Sequence, residues 1–270
     1  MATCIVVTSG KGGVGKTTTS ANLSTALALT GKKVVVIDAD IGLRNLDVVL
    51  GLENRIVYDL VQVVEGTCRL KQALIRDKRV EGLWLLPAAQ TRDKSAVSPD
   101  DMKALVEELK EDHDYVIIDC PAGIEQGFKN SIAGADRALI VTTPEVSAIR
   151  DADRVVGLVE SAGLPAPHLI INRYRPSMVQ RGDMLDRDDI LEILHIPLIG
   201  IIPESEEVVV SSNRGQPLAL DDASPTGAAY RRIVRRIEGE DLPIPSFELD
   251  SGFWAVFKRW MGLAPAREVA

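Results

Sequence analysis

The chain has 270 residues and 46% hydrophobic content, enough for one large α/β domain with a substantial core. A formal net charge of −8 argues against a surface built wholesale for nucleic acid. Three widely spaced cysteines (Cys4, Cys68 and Cys120) form no CxxC pair, which argues against a disulfide framework or a Cys-based metal site and for a reduced, cytosolic protein.

In chain order, the opening MATCIVVTSG lacks the basic region and cleavage site of a secretory signal. No apolar run approaches the roughly 20 residues that span a bilayer. Seven β-branched runs read as strands: 3–9, 32–40, 82–88, 115–123, 137–145, 168–174 and 197–204. They are nearly continuous in apolar residues, the mark of strands covered on both faces of a mostly parallel sheet. Helical stretches lie between them, among them 16–31, closed by Gly31, and 98–112, opened by Ser98 and Pro99. Strand and helix in alternation predict an α/β fold: a doubly wound, mostly parallel sheet with helices on both faces. Ligands then belong at the strands' carboxyl ends. A last helix over 225–239 closes a domain of residues 1–239. Residues 240–252 carry two prolines and few helix formers and read as a flexible linker. An aromatic stretch, 253–263, and a tail, 264–270, follow outside the domain.

The segment GKGGVGKT, Gly10 to Thr17, matches G-x-x-x-x-G-K-[ST] between a strand and a helix, the context of a phosphate-binding loop. Backbone N–H groups of Gly10, Lys11, Gly12, Gly13, Val14 and Gly15 converge on phosphate oxygens with little Cβ interference. The helix N-terminus at Lys16, Thr17 and Thr18 adds partial positive charge. Lys16 is expected to reach the β- and γ-phosphates of ATP, and the Thr17 hydroxyl to ligate Mg²⁺. Asp38, Asp40 and Asp119 follow apolar runs and so fall at strand carboxyl ends beside the loop. Each is either a cap or turn former, or a buried acid needing a cation, for which Mg²⁺ and Lys16 are the natural partners. Lys11 adds a second amine that cannot serve the same phosphates from the same side. It is either a solvent-facing loop residue or one directed at a nucleotide on a second subunit. His113, His168 and His195 are scattered and show no ligand spacing.

On a helical wheel Phe253, Trp254, Val256, Phe257, Trp260, Met261 and Leu263 fill one half-turn. Ala255, Lys258, Arg259 and Gly262 take the other. Such a helix is about 16 Å long, too short to cross a bilayer. It suits an interface, with Lys258 and Arg259 towards anionic lipid. A final core helix and a protein-docking helix share the pattern. The linker prolines and the density of large aromatics weigh against packing back.

The motif KGGVGKTT with its early lysine resembles the deviant phosphate loop of the MinD/ParA family of P-loop ATPases. Residues 38–60 and 147–158 (SAIRDADRVVGL) resemble its MinD branch in particular, and the resemblance runs from residue 1 to about 263. It implies a homodimer in the ATP-bound state, in which Lys11 crosses to the partner's nucleotide. It implies that Asp119 is the Walker-B acid near Mg²⁺ and that Asp38 helps hold the metal's water shell. Asp40, in a first switch segment, would position the attacking water, so that Lys11, Lys16 and Asp40 carry catalysis. PAGIE (121–125) matches the second switch, and Asn172 and Pro203 are candidates for the adenine side. The activity implied is a membrane-cycling ATPase that helps place the division site, bound reversibly to the cytoplasmic face of the inner membrane. A MinC-like inhibitor and a MinE-like activator are the implied partners, near the dimer face and the SAIRDAD helix, with no specific nucleic acid. An alternative is a ParA-type DNA-segregation ATPase, best supported by RRIVRR (231–236), although these arginines do not all share one helical face. A redox ATPase such as the nitrogenase iron protein is the other, and Cys68 and Cys120 stand outside its expected motifs.

Overall fold

The computed structural model describes residues 2–245. Most of the expected linker, the aromatic stretch Phe253–Leu263 and the tail 264–270 lie outside the described residues. In chain order, β1 (Thr3–Thr8) feeds α1 (Lys16–Leu29) and β2 (Val34–Asp38). Three short helices, α2 (Leu46–Leu50), α3 (Leu60–Val64) and α4 (Leu70–Ala73), lead to β3 (Ile75–Arg76) and β4 (Leu83–Leu86). Next come α5 (Pro99–Asp112), β5 (Tyr115–Asp119), α6 (Gln126–Ala133), β6 (Arg137–Thr142) and α7 (Val146–Ser161). The fold then adds β7 (His168–Tyr174), α8 (Pro176–Gln180), α9 (Arg187–Leu194), β8 (Leu198–Pro203), α10 (Glu207–Asn213) and α11 (Pro225–Ile237).

The eight strands lie in the order β3-β4-β2-β5-β1-β6-β7-β8. All neighbours are parallel except β3 with β4. Each expected strand is present, and the helix expected to open at Ser98 and Pro99 begins there. Ser98 accepts from the Asp101 amide at 3.2 Å while Asp101 accepts from the Ser98 amide at 2.9 Å, a reciprocal cap. The continuous apolar reading of the strands has a direct cause. Cys4 and Val6 of β1 enter the core on one face, and Ile5 and Val7 enter the core on the other. Val116 and Ile118 of β5 likewise oppose Ile117. Both faces are dry, so no position along the strand favours a polar residue.

Two features differ from expectation. β3, a two-residue antiparallel edge strand, was not anticipated, because two residues carry no periodicity. Several strands end earlier than their apolar runs: residues 39–40, 120–123 and 143–145 leave the sheet and open the crevice above it. β1 sits in the interior of the sheet, between β5 and β6, so its carboxyl end meets loops from both directions of winding.

The arginines of α11 also have a structural assignment. Arg231 donates to the carbonyls of Ala219, Asp221 and Asp222, at 3.0, 3.0 and 3.3 Å. Arg235 pairs with Glu240 at 2.6 Å. Arg236 donates to the carbonyls of Ile199, Leu242 and Pro243. Three of the four guanidinium groups thus close backbone or carboxylate partners of the fold instead of forming a free basic stripe. Among the described residues no helix is long and apolar enough to cross a membrane.

Candidate functional site

The site is built on β1. Its last buried residues, Val7 and Thr8, give way to a loop whose glycines have distinct duties. A Cβ on Gly10 would lie 2.2 Å from the Asp151 carbonyl oxygen in α7, so only glycine permits that approach. Gly15, at φ 96°, turns the chain left-handed into α1, a conformation that costs little only for glycine. The loop is braced by side chains. The Asn172 amide, at the end of β7, donates to the Val14 carbonyl at 2.7 Å. Ser9 donates to the Lys11 carbonyl at 2.7 Å and accepts from the Lys16 ammonium at 2.9 Å. Lys16 is buried, which pushes its ammonium below the ordinary lysine value against the opposing pull of Asp119, Cys120 and Asp40.

Asp38 and Asp119 stand side by side, in register at the ends of neighbouring strands β2 and β5. Both are buried. Burial and then the negative charge of Asp119 raise the Asp38 carboxyl well above the carboxylate range, although the amides of Asp40 and Leu46 donate to it at 3.0 and 3.2 Å. Burial also raises Asp119, countered by the hydroxyls of Thr17 and Ser20 and by Lys16. The Ser20 hydroxyl donates to Asp119 at 2.9 Å. Two adjacent dry carboxyls resist ionising together unless a cation joins them. A divalent cation would relieve that pair, and the Thr17 hydroxyl stands at the same place, donating to Asp119. Among the described residues no group of three or more His, Cys, Asp or Glu forms a metal cage.

The remaining expected residues divide. Asp40 begins a tight turn, its carbonyl accepting from the amides of Leu43 and Arg44. Arg44 itself is left-handed at φ 37° and pairs with Asp47 at 2.9 Å. Lys11 is not folded into its own loop: its ammonium donates to the Ser147 hydroxyl at 3.3 Å and lies 3.7 Å from the Glu145 carboxylate, at the start of α7. Pro203 ends β8 and lines a groove against α11, while its neighbour Glu204 meets Arg175 at 3.5 Å in a separate hollow of about 750 Å³. Three apolar side chains rim the carboxyl-end face: Leu43 is 63% exposed, Ile124 41% and Val146 57%. The partners Ser9, Ser20, Glu145 and Ser147 were not singled out in the sequence. Ser20 alone left a signal, since it lies one helical turn after Lys16 and so shares its face.

Comparison with known proteins agrees with this geometry. The CobQ/CobB/MinD/ParA nucleotide binding domain matches residues 5–218. The septum site-determining protein MinD of Bacillus subtilis is 56% identical over 266 residues, 97% of this chain and 99% of that protein. A chain of the MinC:MinD cell division protein complex of Aquifex aeolicus has a TM-score of 0.84 at 51% identity, covering 91% of this chain and 99% of that one. The septum site-determining protein MinD of Pyrococcus horikoshii, complexed with Mg-ADP, has a TM-score of 0.81 at 29% identity, covering 88% and 97%. With the phosphate loop on β1, the paired acids beside it and a match over nearly the full length, the chain belongs to the MinD family within the CobQ/CobB/MinD/ParA nucleotide-binding group.

Proposed function

We propose that this protein is an ATPase that dimerises on ATP, cycles on and off the inner membrane and helps place the division site by recruiting an inhibitor. The observation that carries the reading is Lys11. A second lysine of the phosphate loop stands outside its own loop, on a face rimmed by exposed Leu43, Ile124 and Val146. A second copy meeting that face would cover the apolar rim and receive Lys11 at its own nucleotide.

Within each copy the backbone of Gly10–Gly15 cradles the phosphates, and Lys16 exchanges Ser9 for the β- and γ-oxygens. Asp38, Asp119 and Thr17 would hold magnesium, which when bound would supply charge neutralisation. Asp40 orients the attacking water, and Asn172 with Pro203 serves the base side. Little covalent chemistry is asked of the protein, and positioning supplies most of the acceleration. The tail, Phe253 to Leu263, then acts as a foot. One large side chain gains at most about 1.5–3 kcal/mol on full burial, against about 1–2 kcal/mol per residue for ordering backbone. One foot is therefore weak, and two on a dimer gain about 10²–10⁴ in avidity. Hydrolysis separates the copies and releases both feet. The MinC:MinD complex of the Aquifex relative supports a MinC-like partner. A MinE-like activator rests on the family resemblance. The DNA-segregation alternative loses its best support, since Arg231, Arg235 and Arg236 are engaged within the fold.

Sedimentation with anionic vesicles tests the reading. The protein should pellet with ATP, and should stay in the supernatant with ADP or no nucleotide. Lys16→Ala should stay in the supernatant throughout. Equal pelleting in all conditions would refute the coupling.

A further inference from the structure

Arg79, in the turn between β3 and β4, joins three segments through one guanidinium. Its Nε and Nη2 donate to the two carboxylate oxygens of Asp77, at 3.0 and 2.6 Å. Its Nη1 donates to the Gly215 carbonyl at 2.6 Å, and Nη2 also donates to the Leu50 carbonyl. Asp77 is buried and is itself held, its amide donating to the Leu83 carbonyl of β4 at 2.9 Å. Against the upward push of burial, the bonds from Arg79 keep the Asp77 carboxyl below the ordinary carboxylate value. Leu50 ends α2, and Gly215 follows α10. The two chains cross there in direct contact. A Cβ on Gly215 would lie 2.4 Å from the Gly51 Cα, and one on Gly51 2.6 Å from the Gly215 carbonyl oxygen.

Both helices lead back to the nucleotide end of the sheet. At the start of α2 the Leu46 amide donates to Asp38 at 3.2 Å, and the helix is only about 6 Å long from Leu46 to Leu50. A shift at Leu50 is therefore felt at Asp38. α10 starts just after Pro203 and Glu204 and is thinly seated. Val209 and Val210 are exposed, and a hollow of about 750 Å³ is lined by Val210, Ser211 and Arg214 on one side and Leu218 and Leu220 on the other. The Ser224 hydroxyl ties the start of α10 by donating to Glu207 at 2.9 Å, and Arg79 ties its end. Apolar burial is non-directional, so it sets how deep a helix lies. Hydrogen bonds to its ends set where it slides and turns.

We propose that Arg79 is a positioning residue of the nucleotide site: it locks the end of α2 to the end of α10, so that the acid side, through Leu46 and Asp38, and the base side, through Pro203, keep one geometry. The proposal rests on the ATPase reading above. It explains why an arginine stands here. A planar fork serves a carboxylate and two carbonyls at once, whereas a lysine would keep the charge beside Asp77 as a single point. Removing the guanidinium altogether would leave Asp77 buried without its cation, so a truncating substitution would confuse lost position with lost stability. Arg79 acts at a distance, through the backbone carbonyls of the two helices and not by contact with the ligand.

Amide hydrogen exchange and steady-state hydrolysis on the full chain test it. Arg79→Lys should speed exchange about ten-fold in residues 46–50 and 207–215 while β1 and β5 keep their protection, a pattern that general destabilisation would not give. It should also lower kcat about ten-fold and raise KM for MgATP. Glu207→Ala cuts only the tie to Ser224. It should speed exchange in 207–215 alone and raise KM with kcat unchanged. Asp77→Asn, which removes the charge that orients the fork, should reproduce the Arg79→Lys pattern and is read in its place if that variant does not fold. Unchanged exchange in 46–50, or a kcat equal to that of the wild type, overturns the inference. Absence of hydrolysis in the wild-type chain would count against the ATPase reading itself, and the exchange results would still decide whether Arg79 joins the two helices.

Discussion

Lys16 and the Asp38–Asp119 pair are opposite faces of one electrostatic fact. Each is buried, and burial disfavours whichever form carries charge, so the ammonium is lowered and the carboxyls are raised. A triphosphate with its dication would relieve all three at once, which ties ligand affinity to the burial of these groups. The same rule acts on His113 far from the loop. Its Nδ1 donates to the Leu109 carbonyl at 2.8 Å and its ring meets Trp84 edge-on, with centroids 5.1 Å apart. Burial lowers its pKa below the ordinary 6.5, only partly offset by the Leu109 carbonyl and Asp112. As pH falls through 6.5 the unfolded chain takes up a proton that the folded chain refuses, so stability drops until the folded value is passed. We expect Tm to fall between pH 7 and 5 less steeply in His113→Phe than in the wild type, as read by calorimetry across that window. The phosphate loop was legible at this scale because phosphate chemistry demands particular residue types at a local spacing. Ser9, Glu145 and Ser147 were not, since a serine or glutamate becomes a lysine's partner only through tertiary placement.

At the scale of elements, the loop is a packed joint between β1, α1 and α7 as well as a ligand cradle. Gly10 serves the joint, with a Cβ there 2.2 Å from the Asp151 carbonyl oxygen. Gly12 serves the cradle, since a Cβ there meets only the Ala122 methyl at 3.8 Å. Gly10→Ala should therefore melt earlier even without nucleotide, the overpacking costing about 1–3 kcal/mol. Gly12→Ala should keep the nucleotide-free Tm and lose ATP binding, because its methyl takes phosphate space. Thermal shift with and without MgATP separates the two, and equal melting of both variants would reject the distinction. Strands and capped helices were legible because both faces of the sheet are dry and caps such as Ser98 are local. The strands' carboxyl ends were over-extended because the residues that leave the sheet, such as Ala39 and Cys120, remain buried and apolar. Hydrophobicity records burial there, and no local signal records departure from the ladder.

For the whole molecule, fold class was readable from alternation, but strand order was not, because order depends on how crossovers pass one another. The placement of β1 between β5 and β6 brings Asp119, Asn172 and the start of α7 to one loop from distant parts of the chain. Division of labour between this body and its terminal segment yields a further expectation. If the proposed paired feet carry the lipid contact, truncation after Asp250 should preserve MgATP affinity within about two-fold while abolishing ATP-dependent vesicle pelleting. Isothermal titration and sedimentation on the same preparation read both. Retained pelleting would place lipid contact elsewhere on the body.

Ser9, Asn172 and the buried Lys16 ammonium brace the loop through hydrogen bonds to the Lys11 carbonyl, the Val14 carbonyl and the Ser9 hydroxyl. In the proposed cycle the Ser9–Lys11 and Asn172–Val14 bonds use no group that serves phosphate, so the loop keeps these anchors while nucleotide is exchanged. The tempo of the proposed cycle would then be set by how long two copies stay together, and scarcely by how quickly each is refilled.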